Sequence, residues 1–567
     1  MCGIFFSLHP ERYILPSLET QQLLRNRGPD ACQTRQLLTP ISADRTGTAG
    51  LYATFLSTVL SLRGTNIVGQ PLQDDASGSI LCWNGEAWKI DGKPVEGNDS
   101  QAVFGILLRA CSASSGPSES SSHGRVMSAL SSITGPFAFV FYDAVNGAIY
   151  YGRDCLGRRS LLRKITGDDQ LIISSVCDNE MGDQWVEVEA DGIYTIDLRQ
   201  TSEHNILQVL SFPHARKGAS PSSPALLVPF PSMNATVPEG RTPVLDLDSP
   251  SVHQLDEVLR KSLELRIRHV RESIPSETEK NEAKVSILFS GGLDCTVLAR
   301  LCHDILPAGE SVDLLNVAFQ NPRIHGAIDA IPSPFELCPD RITGRSSFTE
   351  LQKTCPDRLW RFVEVNVPYT ETVAHRANVM TLMHPHNTEM DLSISYALYF
   401  ASRGVGRIQR GPKHHDPEPY TSPAHVLLSG LGADELFGGY QRHALAHLRK
   451  GYAGLIEELE LDFNRLGKRN LGRDDRVLSD SGKEVRFPYL DEELIGWALD
   501  CPIWGKCGFG EKIQNPFGLE PEKRVLRLLA WRLGMEGVAR EKKRAIQFGA
   551  RTAKMETGRV KGTQVLS

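Results

Sequence analysis

The stretch VSILFSGGLDCTVLARLCHDIL, from Val285 to Leu306, constrains the fold more than any other part of the chain. Val285, Ile287, Leu288 and Phe289 form a short apolar run, the mark of a buried strand. Behind it Leu293, Val297, Leu298, Leu301, Cys302, Ile305 and Leu306 recur at helical spacing. The segment therefore reads as strand, glycine turn, helix. Gly291 and Gly292 let the backbone approach an anion closely, and the first N–H groups of the helix favour negative charge. Ser290 and Thr296 add hydroxyl donors. Asp294 repels phosphate, so a carboxylate here points to a bridging magnesium ion. The Gly-Lys-Ser/Thr ending of a Walker A loop is missing. Taken alone, the turn has one alternative reading, a tight turn with an ordinary helix cap.

A chain of 567 residues exceeds one typical core, so at least two domains are expected. The hydrophobic fraction of 41% and charged fraction of 23% are those of a globular, soluble protein. With a net charge of −6 and no long basic run, nucleic acid is not an expected partner. No apolar stretch reaches membrane-spanning length, and MCGIFFSLHPERY lacks the basic start and apolar core of a signal peptide. The 12 cysteines show no close metal-binding or redox pairing, which fits reduced thiols. A cytoplasmic protein without membrane association is expected.

The first domain is placed at residues 1–210. If Met1 is removed, Cys2 becomes the amino terminus and carries its own base, because an α-amino group titrates at about pH 8. On position alone, a chemically inert buried cysteine is the simpler reading. Downstream, RNRGPD (Arg25 to Asp30) makes a Gly-Pro turn after a helix-like segment. Asn84, Gly85 and Glu86 follow the apolar run Ile80 to Trp83, and Asp99 opens an amphipathic helix where it caps N–H groups or grips an ammonium. Asn84 and Gly85 offer side-chain and backbone N–H donors to an oxyanion. GPFAFVFYDAVNGAIYYGRDCLGRRSLL reads as two strands joined at Asn146-Gly147. The serine-rich stretch Cys111 to Arg125 reads as a solvated insertion.

In this order, MCGI, RGPD, WNGE, GNDS, GPFAFVFYD and GRDCLGRRSL resemble the glutaminase domain of class II glutamine amidotransferases. The resemblance implies an N-terminal-nucleophile fold, two antiparallel sheets between helical layers. It implies that Cys2 attacks the glutamine amide and that Asn84 with Gly85 forms the oxyanion hole. Glu86 and Asp99 would hold the glutamine amino group, and Arg63 its carboxylate.

Residues 211–251 are rich in proline and serine and read as a linker that is extended in parts. The second domain is placed at 252–567, beginning with an amphipathic helix striped by Leu255, Leu259, Leu263 and Ile267. Strands are expected at 285–289, 312–319, 358–367 and 425–430, with helices between them, including MDLSISYALYFASRG. That alternation indicates a parallel α/β sheet with ligands beyond the strand carboxyl ends. The last strand runs into SGLGADELFGGY, bringing Asp434 and Glu435 to the same mouth as the SGGLDCT loop.

SGGLD, SGLGADELFGGY and EVRFPYLDEEL resemble the synthetase domain of asparagine synthetases, ATPases that release AMP and pyrophosphate. By that resemblance Ser290, Gly291, Gly292, Asp294, Cys295 and Thr296 cradle pyrophosphate, and Leu288 and Gly430 line the ATP site. Asp294 and Asp434 hold Mg2+, and Lys543 returns over the phosphates, with Lys542 as its alternative. The implied substrates are glutamine, aspartate and ATP. Arg486 and Asp491 are expected to tie the sheet to its helices by an ion pair. Leu431 stands where asparagine synthetases carry the first glutamate of SGEGSDE, and Cys295 replaces a serine. The insertion 403–424, with His414 and His415, reads as a solvated loop. With PDRITGRSSFTEL and the IQFGAR tail, these departures make the chain resemble the eukaryotic asparagine synthetase domain-containing proteins. Three functions remain open: asparagine synthesis, amidation of another carboxylate, and a binding or scaffold role on a retained fold.

Overall fold

The structure, a computed structural model, describes all residues except 41–49, 113–120, 166–169, 179–183, 200–207, 217–223, 241–242, 272–281, 326–332, 410–416, 511–516, 556–561 and 567. They divide into two compact units. The first comprises Met1–Pro229, Thr381–His386 and Leu466–Gly482; the second comprises Phe230–Met380, Asn387–Arg465 and Lys483–Ser567.

Besides a small three-stranded sheet of Lys89–Ile90, Lys93–Pro94 and Ile133–Thr134, the strands of the first unit are β1 (Gly3–His9), β2 (Ala31–Pro40), β3 (Gly50–Val59), β4 (Leu72–Gln73), β5 (Ile80–Gly85), β6 (Phe137–Asp143), β7 (Ala148–Arg153), β8 (Leu162–Ile165), β9 (Leu171–Ser174), β10 (Val186–Glu187), β11 (Gly192–Asp197), β12 (Val209–Arg216) and β13 (Leu226–Val228). They build two sheets, in the orders β10-β8-β9-β1-β3-β2 and β13-β12-β11-β7-β6-β5-β4. Pairing is antiparallel except between β12 and β13. Alternate side chains explain the layering. Ile4, Phe6 and Leu8 of β1 share one core with Ile80 and Cys82 of β5 and Val140 of β6. The intervening residues Leu81, Trp83, Phe139 and Phe141 face Val103 and Leu107 of α2 (Asp99–Ser112) and Val126 and Leu130 of α3 (Ser122–Ser131). Helix α1 (Leu18–Arg27) lies over β1 and β3. Two sheets between helical layers, and the β6–β7 hairpin at Asn146-Gly147, are as the sequence leads one to expect. Of the serine-rich stretch, the flanks belong to α2 and α3, while 113–120 lie outside the described residues.

Strands β12 and β13 fall largely inside the stretch read as a linker. Val209, Leu210 and Phe212 carry strand character, but Pro213 and the prolines beyond it hide the pattern.

In the second unit the strands are β14 (Val285–Leu288), β15 (Val312–Phe319), β16 (Trp360–Val367), β17 (Val405–Ile408), β18 (Glu418–Thr421), β19 (Val426–Leu428) and β20 (Glu484–Arg486). Their order is β18-β17-β16-β15-β14-β19-β20. The five strands from β16 to β20 in that row are mutually parallel, as expected. The insertion 403–424 corrects the expectation of a plain loop, because β17 and β18 form an antiparallel hairpin on the sheet edge. Alternation is weak in VGRI and EPYT, so periodicity misses both strands. His414 and His415 lie outside the described residues. Helices α4 (Pro250–Ile267), α5 (Leu293–Ile305), α6 (Pro339–Thr354) and α7 (Glu389–Arg403) surround the sheet.

The expected Arg486–Asp491 pair is not formed. Arg486 binds Glu484 at 2.6 Å and Asp491 binds Arg266 of α4 at 3.0 Å. Asp491 also caps the helix Glu492–Asp500 by accepting from the N–H groups of Glu493 and Leu494. Arg266, unmarked in the sequence, is the residue that brings the two together, since its carbonyl accepts from Arg486.

Candidate functional site

Cys2 precedes β1 and continues the inward row of Ile4, Phe6 and Leu8. Asn84, near the end of β5, continues the row of Ile80 and Cys82 into the same core. A chain of buried bonds connects the two strand ends. Arg27 Nε donates to the Cys2 carbonyl at 3.3 Å, and Arg27 Nη2 binds Asp475 at 2.8 Å. Asp475 accepts from the Ser160 N–H at 3.1 Å and lies 3.6 Å from Arg159 Nη1. Next to it, Arg158 binds Asp154 at 3.0 Å and donates to the Gly135 carbonyl at 2.8 Å. Asp154 accepts from the N–H of Phe137, the residue paired with Gly85. The start of β1 and the end of β5 thus belong to one edge of the sandwich. The motif GRDCLGRRSL supplies the buried ions that join them.

Asn84 is fully buried, and neither its Nδ2 nor its Oδ1 has a hydrogen-bond partner. A buried polar group left unpaired costs about 1–3 kcal/mol, which a ligand supplying those bonds would recover. Gly85 admits no side chain, because a Cβ would lie 2.5 Å from the Pro136 carbonyl oxygen. Asp99 starts α2 and accepts from Trp83 Nε1 at 3.1 Å and the Ala87 N–H at 2.9 Å. Glu86 lies 3.5 Å from Arg63 Nη1, which also donates to the Ala87 carbonyl at 3.0 Å. Arg63 Nη2 donates to the Val95 carbonyl. Arg63, Glu86 and Asp99 are therefore gathered around the turn that follows Asn84, with the Arg63 guanidinium engaged by backbone carbonyls.

In the second unit, β14 ends with Leu288 half-exposed, and the SGG turn leads into α5. Gly291 has φ +78°, and a Cβ there would lie 2.5 Å from the α6 backbone at Thr343 and Gly344. The Gly292 N–H donates to Ser290 Oγ at 3.3 Å. Thr296 Oγ1 and Cys295 Sγ both donate to the Gly292 carbonyl, at 2.8 and 3.4 Å, so these side chains brace the turn. Burial pushes the Cys295 thiol up, which keeps it protonated and suited to that donation.

Gly430 packs against Asp294, since a Cβ there would lie 2.9 Å from Asp294 Cβ. Asp294 and Asp434 are bridged by Lys523, whose Nζ lies 2.6 Å from one carboxylate and 2.7 Å from the other. Lys543 Nζ also donates to Asp434 and lies 5.1 Å from the Tyr440 ring centroid. Lys542 points away, 82% exposed, 3.6 Å from Glu520. Burial alone would raise the Asp434 carboxyl, but Lys523 and Lys543 outweigh it and hold it well below the usual range. Glu435 is pushed up by burial and by Asp434, and Tyr440 donates to it at 2.5 Å. Gly439 makes room for the bridge, because a Cβ there would lie 2.0 Å from Asp434 Oδ1 and 2.3 Å from Lys523 Cε. Leu431 is half-buried at the end of the neighbouring strand and offers no proton-transfer group.

Lys523 is the residue that sequence reading misses. It precedes the helix Arg524–Arg532 in a basic run that looks like a solvated face, and no spacing marks it. The residue set fits magnesium only together with a nucleotide. Among the described residues no cluster of three or more histidine, cysteine or acidic side chains forms a metal cage. Asp294 Oδ1 is buried without a hydrogen-bond partner, a hard oxygen of the kind magnesium takes beside phosphate oxygens.

A family model for asparagine synthase matches residues 420–460 and 449–562. Asparagine synthetase domain-containing protein 1 of Bos taurus is 33% identical over 99% of this chain and 96% of its own length. The chain belongs to the asparagine synthetase domain-containing protein family. The Mus musculus member is 34% identical over 99% of this chain and 98% of its own length. That of Saccharomyces cerevisiae is 33% identical over 78% and 75%. Among solved structures, the allosteric regulatory enzyme of purine biosynthesis is similar over 58% of this chain and 68% of its own, at 14% identity and a TM-score of 0.26. Among the described residues no helix is long and apolar enough to cross a membrane.

Proposed function

We propose that this family member is a glutamine-dependent, ATP-consuming amidotransferase. The observation that carries the reading is Asn84, a buried amide with both polar atoms unpartnered at the sandwich edge where Cys2 enters β1. With Met1 removed, the Cys2 α-amino group takes the thiol proton and Sγ attacks the side-chain amide carbon of glutamine. Asn84 Nδ2 and the Gly85 N–H donate to the oxyanion, while Glu86 and Asp99 hold the substrate ammonium and Arg63 its carboxylate. Collapse of the adduct expels ammonia with the returned proton, and water cleaves the thioester to glutamate.

In the second unit, the N–H groups of Gly291 and Gly292 and the Ser290 hydroxyl hold the β- and γ-phosphates of ATP beside Leu288 and Gly430. Lys543, 28% exposed, exchanges Asp434 for a phosphate oxygen, and the buried Lys523 keeps Asp294 and Asp434 together. Asp294 and Asp434 would hold magnesium together with the nucleotide, and the ion would supply neutralisation of the phosphate charge. A substrate carboxylate attacks the α-phosphorus, pyrophosphate leaves, and ammonia displaces AMP from the adenylate. Membership of a family named for asparagine synthetase makes aspartate the first acceptor to test.

The test is glutamate and pyrophosphate release from glutamine, aspartate and MgATP. Wild type is expected to release both, and Cys2→Ala to lose the glutamine-driven reaction while keeping the one driven by ammonium chloride. No glutamate from wild-type protein with a processed N-terminus would overturn the reading. Leu431 favours a second reading, in which the acceptor is another carboxylate or the second unit binds without adenylating. ATP–pyrophosphate exchange across a set of carboxylic acids separates these two versions.

A further inference from the structure

The amidotransferase-like unit is not built from the first part of the chain alone. The helix α8 (Leu471–Ser479), which lies within the asparagine-synthase match, belongs to it and is buried along its whole length. Charges fix it there. Asp475, fully buried, receives Arg27 and the Ser160 N–H and faces Arg159. Ser479 Oγ accepts the other arm of Arg27 at 2.5 Å. The next residue after Asp475, Arg476, binds Glu187 at 2.7 Å and donates to Ser160 Oγ at 2.9 Å. Arg27 in turn holds the Cys2 carbonyl through Nε and accepts from the Met1 amine through its own carbonyl at 3.3 Å. Only one side chain, Arg27, stands between Asp475 and the residue proposed to attack glutamine.

We propose that Asp475 is a positioning residue for the glutaminase centre, supplied by the asparagine-synthase segment of the chain. The proposal rests on the reading of Cys2 as the nucleophile. A carboxylate at 475 fixes the Arg27 guanidinium in one plane, because an arginine held by a carboxylate and a hydroxyl cannot rotate about its terminal bonds. The fixed Nε sets the direction of the Cys2 carbonyl and so of the Cys2 side chain. Through Ser160 and Arg159 the same carboxylate touches the GRDCLGRRSL turn, whose Asp154 holds the strand facing Asn84 and Gly85. Asp475 therefore sets nucleophile and oxyanion donors against one another without contacting substrate.

The experiment uses the full chain with Met1 removed. The second-order rate at which 6-diazo-5-oxo-L-norleucine labels Cys2 is measured by intact-mass spectrometry, beside kcat and KM for glutamine hydrolysis. The rate constant is read from the chains that take up label, so a misfolded fraction lowers the final extent of labelling and leaves the rate constant unchanged. Asp475→Asn is expected to slow labelling and kcat about 10- to 100-fold, the scale of a displacement near 1 Å, with a smaller change in KM. Asp475→Glu should recover part of the loss. Combined with Arg27→Met, Asp475→Asn should add little, since both act through one contact. Should Asp475→Asn fail to fold, Ser479→Ala carries the test, with labelling slowed about threefold at an unchanged melting temperature. Labelling within about twofold of wild type in the folded variants would overturn the proposal. Wild type that neither hydrolyses glutamine nor takes up the label overturns the reading of Cys2 and this inference with it.

Discussion

Replacing Lys523 by methionine keeps the length of the side chain and removes its charge. In the native protein Nζ sits 2.6 Å from Asp294 and 2.7 Å from Asp434, with the lysine side chain 3% exposed. Burial would lower the ammonium pKa, yet the two carboxylates hold it above its ordinary value. The variant leaves Asp294 facing Asp434 with no cation between them, and Lys543 compensates only Asp434. Removing one partner of a buried ion pair costs about 3–5 kcal/mol, and the surviving Lys543 contact places this case near 3. For a urea slope of about 2–3 kcal/mol/M, the midpoint of the transition that reports the second unit should fall by about 1 M. Urea unfolding followed by hydrogen exchange in peptides covering 293–305 and 433–437 reads that transition separately from the first unit. Lys523→Arg, which keeps the charge, should lose less than half as much. A midpoint shift below about 0.2 M for Lys523→Met would refute the argument, because it would mean that the carboxylates do not need the lysine.

Asn84→Ala removes an amide that has no partner in the protein, so the melting temperature should hold or rise while glutamine hydrolysis falls about 10²- to 10³-fold. Ammonium-driven turnover should be unchanged in the same preparation. Asp340, at the start of α6, is pushed up to about 7 by burial, with Arg544 offsetting part of the effect. The folded state therefore keeps a proton on Asp340 to higher pH than the unfolded chain does, and stability falls as pH rises from about 4 to about 7. Asp340→Asn should match wild type near pH 4 and exceed it at pH 8 by an amount on the order of 4 kcal/mol, read from urea midpoints at the two pH values. Leu431→Glu restores a carboxylate at the end of the strand beside the SGG turn, and aspartate-dependent ATP–pyrophosphate exchange should rise. An unchanged rate would show that the acceptor is not set by this position.

The two architectures were legible because their apolar patterns are strong. Val285 to Phe289 before SGG, VDLLNVAF and the Asn-Gly hairpin each announce an element locally. What stayed hidden depends on partners far apart in the chain. Prolines masked β12 and β13, and weak alternation masked the β17–β18 edge. The motif residues Cys2, Asn84, Gly85, Asp294 and Asp434 could be picked out because each sits in a run with a recognisable resemblance. Lys523, Arg266 and Asp475 could not, since a lone basic or acidic residue on a helix looks the same whether it meets solvent or a buried counter-ion, and RGPD marks Arg27 without showing its partners. Only the fold shows that Lys523 joins two carboxylates some 90 to 230 positions away, as the 229-residue separation from Asp294 illustrates. Likewise, nothing local in LGRDDRVLS says that Asp475 meets Arg27, 448 positions earlier.

The most direct test of the account follows the nitrogen itself. Glutamine labelled with ¹⁵N in its side-chain amide is given to the protein with aspartate and MgATP, and small molecules are analysed by mass spectrometry. The account predicts label in a newly formed carboxamide, with pyrophosphate and glutamate appearing in equal amounts and no transfer by Cys2→Ala. Label that stays in glutamine, or that leaves only as free ammonia with no ATP consumed for any carboxylic acid tried, would contradict it.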